Sequence, residues 1–343
     1  MVLYVLLAIL LFGALIFIHE LGHFLTARLF HVTVHEFSIG MGPKLFWFTS
    51  KKSGTVYALR LFPIGGFVSM AGEDEKSDDV NAISAKPLWQ RMIITAAGSF
   101  FNLLLGFLVV GVIVLSSKSI YSPVISGFAE NAITCTENGL EVGDKFIKIG
   151  PRKVHTANDA LYAIGRYGDE PVEVTVIRDG EKKVLTVTFP TYESQGITFG
   201  DRDFDFAETN RNFFTVLRHT WYQSVMIVRL VWDSLFDLIT GKFGLNQISG
   251  PIGITNEIAS VAQSGNKVSL LSMFAILAVN LGVMNLLPFP ALDGGRLFFM
   301  LIELIFRKPI KPEIEGYIHF AGIIILLGLM VVVAFKDIVY LFK

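Results

Sequence analysis

The chain has a single cysteine, Cys135, among 343 residues. That excludes an internal disulfide framework and any metal site built from several thiolates. Charge is also scarce. Only 17% of residues are Asp, Glu, Lys or Arg, against about 25% in soluble domains. Basic and acidic side chains nearly cancel, 29 against 30, so there is no electrostatic footprint for nucleic acid. Residues 1–18 carry no charged side chain, and no basic n-region precedes their apolar run. A retained span is therefore expected there, not a cleaved signal peptide. Internal repeats and low-complexity tracts are missing as well. Apolar side chains make up 52% of the chain, including thirty Phe, and the mean hydropathy is +0.56. A soluble enzyme and a disordered chain both fit poorly; a membrane protein fits.

About twenty apolar residues cross a bilayer as a helix. Four runs qualify: the N-terminal run continuing to Phe30, Met92–Leu115, Val268–Leu292 with Pro288 and Pro290 near its end, and Gly316–Phe335. The stretch 213–243 is broken by Arg218, Arg229, Asp233, Asp237 and Lys242, and reads as an amphipathic helix on the membrane surface. From Val32 to Met70, alternation and turn residues (Gly40, Gly42-Pro43, Pro63, Gly65-Gly66) predict short strands close to the membrane. From Tyr121 to Phe199 the composition becomes soluble-like. A helix is expected over Ala157–Tyr167, then strands Val172–Ile177 and Val184–Phe189 joined by Arg178-Asp179-Gly180. Basic residues concentrate in the short loops 31–91 and 296–315. That places both loops in the cytoplasm, and the N-terminus, the 121–199 domain and the C-terminus outside. Lys336 and Lys343 pull the other way.

Against this background three ionisable groups stand together in His19-Glu20-Leu21-Gly22-His23. Residues i and i+4 share a helical face, so both imidazoles reach one Zn²⁺, and the intervening Glu can take a proton from water. At the end of a spanning helix such groups are costly unless paired or ligated. Catalytic zinc takes three protein ligands. His31, His35, Glu36, Asp293 and His319 are candidates for the third. Asp293 is distinguished by its setting, between the helix-breaking Pro288 and Pro290 and the pair Gly294-Gly295. Freed backbone groups at membrane depth require a polar cavity there.

His19–His23 together with Asn285-Leu-Leu-Pro288-Phe-Pro290-Ala-Leu292-Asp293-Gly294 resembles the site-2 protease family of intramembrane zinc metalloproteases. Phe37–Pro43 and Phe62–Val68 are similar to that family's membrane-associated β region. Ala97-Gly98-Ser-Phe-Phe-Asn102 resembles its second-helix signature, with Ser99 where proline is common. Ile248–Ile254 resembles the segment before the third helix. Gly139–Ile147 resembles the GLxxGDxI stretch of a bacterial PDZ domain, and the space available fits one such domain, as in single-PDZ members of the RseP/RasP-like branch.

The resemblance implies a polytopic α-helical membrane protein of about four transmembrane helices, with a membrane-associated β region and one inserted α+β PDZ domain. Expected divisions are 1–120 and 266–343 for the membrane core, 121–200 for the PDZ domain and 201–265 for an amphipathic linker. It implies a metalloendopeptidase of the bacterial inner membrane, with His19, His23 and Asp293 on zinc, Glu20 as general base, and the active site near the cytoplasmic side. Its partners would be single-span membrane proteins such as anti-sigma factors or signal-peptide remnants. The PDZ domain would either bind a peptide or C-terminus in a groove between a strand near Val124–Phe128 and Ala157–Tyr167, or serve as a spacer. Asn285 would hydrogen-bond an oxyanion or substrate backbone, or only break the helix; Pro288, Gly65 and Gly66 are further substrate-binding candidates. The alternative is a non-proteolytic membrane PDZ adaptor with a degenerate zinc site, for which Glu20 would be superfluous.

Overall fold

The structure is a computed structural model that describes residues 2–73, 77–136, 139–194, 196–242, 249–308 and 310–341. Two compact units divide the chain, one made of 1–109 with 228–343 and the other of 110–227.

In the first unit, α1 (Val2–Leu29) runs for 28 residues, about 42 Å at 1.5 Å per residue. It stops where His31 takes a left-handed conformation, φ 56°. Strands β1 (Val34–Thr49) and β2 (Val56–Met70) follow. Gly40 and Gly42, at φ 86° and 85°, bend β1, and β2 bends near Gly65, so each strand contributes two segments to one sheet. Residues 36–39 pair with 66–69 on one side and with 56–59 on the other, and 56–60 also pair with 44–49. The segment 66–70 thus ends the sheet. Phe37, Val68 and Met70 pack against Phe17, Leu21 and Phe24 of α1, and the Phe24 and Phe37 rings stand 4.8 Å apart. The exposed apolar residues Phe46, Trp47 and Phe48 on the 44–49 segment suit contact with lipid.

The first part of α2 (Leu88–Ser116) is wedged in by small residues. A Cβ on Gly22 of α1 would lie 2.5 Å from Ala97 O, and one on Gly106 would lie 2.5 Å from Val279 of α6 (Lys267–Asn285). The run expected over Val268–Leu292 is helical only to Asn285, because Pro288 and Pro290 cannot continue it. A new helix, α7 (Asp293–Phe306), begins at the aspartate, and α8 (Pro312–Leu341) closes the unit. Before α6, α5 (Pro251–Gln263) sets its first turn against α8, where buried Asp337 accepts a 2.8 Å hydrogen bond from Gly253 N. Ile248 and Phe243 of the sequence expectations lie outside the described residues. Four described helices are long and apolar enough to cross a membrane, over Leu3–Leu29, Leu88–Ser116, Lys267–Asn285 and Glu313–Val339.

The second unit holds a sheet of β3 (Ile120–Phe128), β4 (Lys145–Ile149), β5 (Arg152–Lys153), β6 (Val172–Arg178), β7 (Glu181–Val187) and β10 (Phe204–Thr209), a separate β8 (Thr191–Ser194) and β9 (Ile197–Gly200) pair, and α3 (Ala157–Tyr167). The Asp179-Gly180 turn has φ of 52° and 83°, as a two-residue hairpin requires. Thr156 and Asp159 form a capping box at the start of α3. The sheet runs β10-β3-β4-β6-β7, so it extends to Thr209, past the expected boundary at 200. Strand β3 pairs with β10 from Ile120 to Phe128 and with β4 through Val124 and Lys145, so β10 and not β3 is the outermost strand on this side of the sheet. The Gly139–Asp144 loop is held to β6 by Arg178, whose Nε and Nη2 donate to fully buried Asp144 at 2.8 and 2.7 Å. The first turns of α4 (Phe213–Ile239) belong to this unit.

Candidate metal centre

Two helices of the first unit deliver the donors. α1 presents His19 and His23 one turn apart, and α7 presents Asp293 from its first position. His19 Nε2 and His23 Nε2 lie 3.1 and 3.3 Å from Asp293 Oδ2, and 3.3 Å from each other. Ligands bound at about 2.0–2.1 Å in a tetrahedron stand about 3.3 Å apart, so the spacing of these three atoms matches one face of such a site. Asp293 Oδ2 is buried yet accepts no well-formed hydrogen bond among the described residues. An oxygen so placed suits a shared cation. α2 lies close to the pair, since a Cβ on Gly98 would come 2.3 Å from His23 Nε2 and 2.8 Å from His19 Nε2. The residues present fit zinc.

The outer ring nitrogens are also engaged, which fixes ring orientation. His23 Nδ1 donates to Ile94 O at 2.8 Å, leaving Nε2 unprotonated for a metal. Buried Asn102 stands 3.2 Å from His19 Nδ1. Metal binding through Nε2 puts the proton on Nδ1, so the amide oxygen belongs there. A half-turn of the Asn102 amide achieves this and satisfies Oδ1, which otherwise has no partner.

The loop that carries Asp293 is held by contacts the sequence does not announce. Ala291 adopts φ 77°, and its N–H donates to His319 Nδ1 of α8 at 2.9 Å. Gly322 of α8 meets Pro290 so closely that a Cβ would lie 2.5 Å from its carbonyl oxygen. Gly294 and Gly295 let residues 286–290 fold over the first turn of α7; a Cβ at Gly294 would sit 2.1 Å from Leu287 O. His319 therefore braces the loop and stands outside the donor cluster. His31 is exposed, His35 lines the neighbouring cavity, and Glu36 is engaged by Lys44 and Arg60 at 2.7 Å each. Among the described residues, His19, His23 and Asp293 form the one group placed to hold a metal.

A cavity of about 1010 Å³ opens on this centre. Glu20 lines it beside the two histidines, as do Phe67–Met70 of the terminal sheet segment and Arg296, which pairs with Glu73. Gly66 lies against Glu20: a Cβ there would be 3.3 Å from Glu20 Cγ. Gly65, at φ 91°, packs on Met41. Asn285 ends α6, and neither it nor exposed Pro288 lines the cavity.

The comparison with known families settles the kinship, since the description Peptidase family M50 matches residues 7–329. The chain belongs to peptidase family M50. Its relatives within that family are similar end to end. A Clostridium perfringens protein provisionally named a zinc metalloprotease is 36% identical over 345 residues, covering 98% of this chain and 99% of that one. The zinc metalloprotease RasP of Geobacillus kaustophilus is 32% identical over 412 residues, covering 96% of each. The regulator of sigma-W protease RasP of Bacillus subtilis is 30% identical over 416 residues, covering 97% and 98%. This M50 member is thus a zinc metalloprotease of the membrane, the site-2 protease type that its paired motifs resemble.

Proposed function

We propose that the chain hydrolyses peptide bonds within or near the transmembrane segment of single-span membrane proteins, with His19, His23 and Asp293 as zinc ligands and Glu20 as general base. The observation that carries this reading is the meeting of those three donor atoms, with Glu20 beside them, on a cavity bordered by a sheet edge. Zinc, when bound, supplies a Lewis acid for the peptide carbonyl and lowers the pKa of water. Glu20 takes the proton of the attacking water and returns it to the leaving amine nitrogen. Asn102 and Ile94 O keep both imidazoles in the ligating tautomer. Arg296 and Glu73 pair across the cavity wall.

A helical substrate must first unwind. Residues 66–70, at the end of the sheet, offer an edge for the unwound stretch, while 56–60 are paired on both sides. Gly65 and Gly66 shape that edge, and Gly66 brings it against Glu20. Asn285 and Pro288 act through the turn that ends α6, not as cavity walls. The second unit is read as a single PDZ domain whose peptide-accepting edge is β10. Membrane-core segments 1–120 and 266–343, an extracytoplasmic domain, outer termini and an amphipathic linker that begins only after β10 complete the topology of an inner-membrane enzyme. Anti-sigma factors are the favoured substrates, in keeping with the name of the B. subtilis relative.

Co-expression of wild type and Glu20→Gln with a tagged single-span substrate tests the proposal. The variant should cut at least about 10²-fold more slowly, the usual worth of a general base, while retaining zinc. Equal cleavage by both would overturn the assignment of Glu20, and cleavage by neither would favour the adaptor reading.

A further inference from the structure

We infer that the second unit carries a binding site for the phosphodiester headgroup of an acidic phospholipid, in a cavity where its sheet meets the first turns of α4. The cavity, about 420 Å³, contains Lys145, Arg218, His155 and His219, while the hydroxyls of Ser122 and Thr215 on its wall donate to Ala207 O and Asn212 Oδ1; among the described residues no carboxylate lines it. Asp159, the acid that acts on His219, is buried and committed to the α3 cap through Thr156 and His155 N. His155 stacks on Tyr222 of α4 at 4.2 Å, so the wall is built jointly by the sheet side and the helix. Two cationic side chains and two imidazoles, with no carboxylate among the described lining residues, are the chemistry of a phosphate site.

The depth of the cavity selects a lipid as the phosphate's source. Helix α2 ends at Ser116, and Arg211 caps that end by donating to Ser117 O at 2.9 Å and to Leu115 O. Asn212, the next residue, lines the cavity, and so does Ser122, two residues into β3. The cavity therefore begins where the hydrocarbon-spanning helix stops, in the headgroup layer of roughly 5–7 Å. Below it, Thr220 lies against Gly111 of α2. Phe213, Leu217 and Trp221, spaced by four, leave an exposed apolar stripe on α4 for acyl chains.

Native mass spectrometry of the full-length protein in detergent, titrated with phosphatidylglycerol, phosphatidylcholine or glycerol phosphate, tests this. Wild type should retain phosphatidylglycerol over phosphatidylcholine, and Lys145→Gln/Arg218→Gln should lower that retention roughly tenfold. Lys145 and Arg218 are exposed, so the variant should keep the wild-type circular dichroism. Lys182→Gln/Lys183→Gln on β7 makes the same change in net charge away from the cavity and should keep the preference. A preference unchanged in the first variant, or lost equally in the second, would overturn the site. Glycerol phosphate binding as tightly as the lipid would overturn the lipid assignment in favour of a soluble phosphate.

Discussion

Each residue of the proposed centre depends on atoms outside the ligand set. Asp293→Ala removes one of three donors, so the purified protein should hold well under half the zinc of wild type by atomic absorption; unchanged stoichiometry would place the third ligand elsewhere. Gly98→Ala is the more discriminating substitution. Its methyl would need the space 2.3 Å from His23 Nε2, on a backbone fixed by the Gly22 crossing. Zinc content should drop although every donor remains; retained zinc would mean that α2 can retreat. At this scale the sequence was informative where chemistry is local. His19, Glu20 and His23 sit on one helix, where spacing alone dictates the shared face. The conjunction with Asp293 could be argued from its setting between prolines and glycines. Asn102 and Gly98 stood within a recognisable stretch, but their purpose could not be seen, because it is defined by a helix crossing some 80 residues away. His319 presents a lone imidazole, and only the left-handed Ala291 reveals what it holds.

Among the elements, the β1–β2 sheet and the second unit respond to different perturbations. Glu36 is partly buried, which favours its neutral form, but hydrogen bonds from Lys44 and Arg60 outweigh that and lower its pKa below the usual carboxylate value. Its contribution is therefore complete above the ordinary carboxylate range and is lost as pH falls through the depressed folded value. Amide exchange in 36–39 and 56–60, corrected for intrinsic rates, should quicken as acid protonates Glu36, and Glu36→Gln should abolish the acid dependence. In the second unit, Arg178→Ala leaves Asp144 buried without its cation, a change that costs about 3–5 kcal/mol. Urea unfolding followed by exchange of β4 and β6 should show it; a loss under 1 kcal/mol would mean that the loop relaxes to admit water. The hairpin at Asp179-Gly180 and helix α3 were legible because turn chemistry and capping are local. The pairing of β10 with β3 was not, since it joins residues about 80 apart and leaves no mark on either segment.

For the whole molecule, low charge announced a bilayer, and four apolar helices bear that out, but the average concealed how the polar residues are distributed. The 110–227 unit has a conventional apolar core around Phe146, Val174 and Phe204, while the membrane unit closes partly through its proposed metal. A ligand that binds only the folded form stabilises it by mass action. Chelation should therefore lower the midpoint of thermal unfolding in wild type and leave Asp293→Ala unmoved; an equal shift in both would mean that the chelator acts elsewhere. The three donors also come from opposite ends of the chain, His19 and His23 near its start and Asp293 some 270 residues later. During synthesis the first helix can be in the bilayer, with its proposed base and two imidazoles in place, long before the aspartate has left the ribosome. With Asp293 as the proposed last ligand, such a hydrolase would stay inert through nearly all of its own biogenesis, so that order of manufacture alone would spare nascent membrane proteins around it.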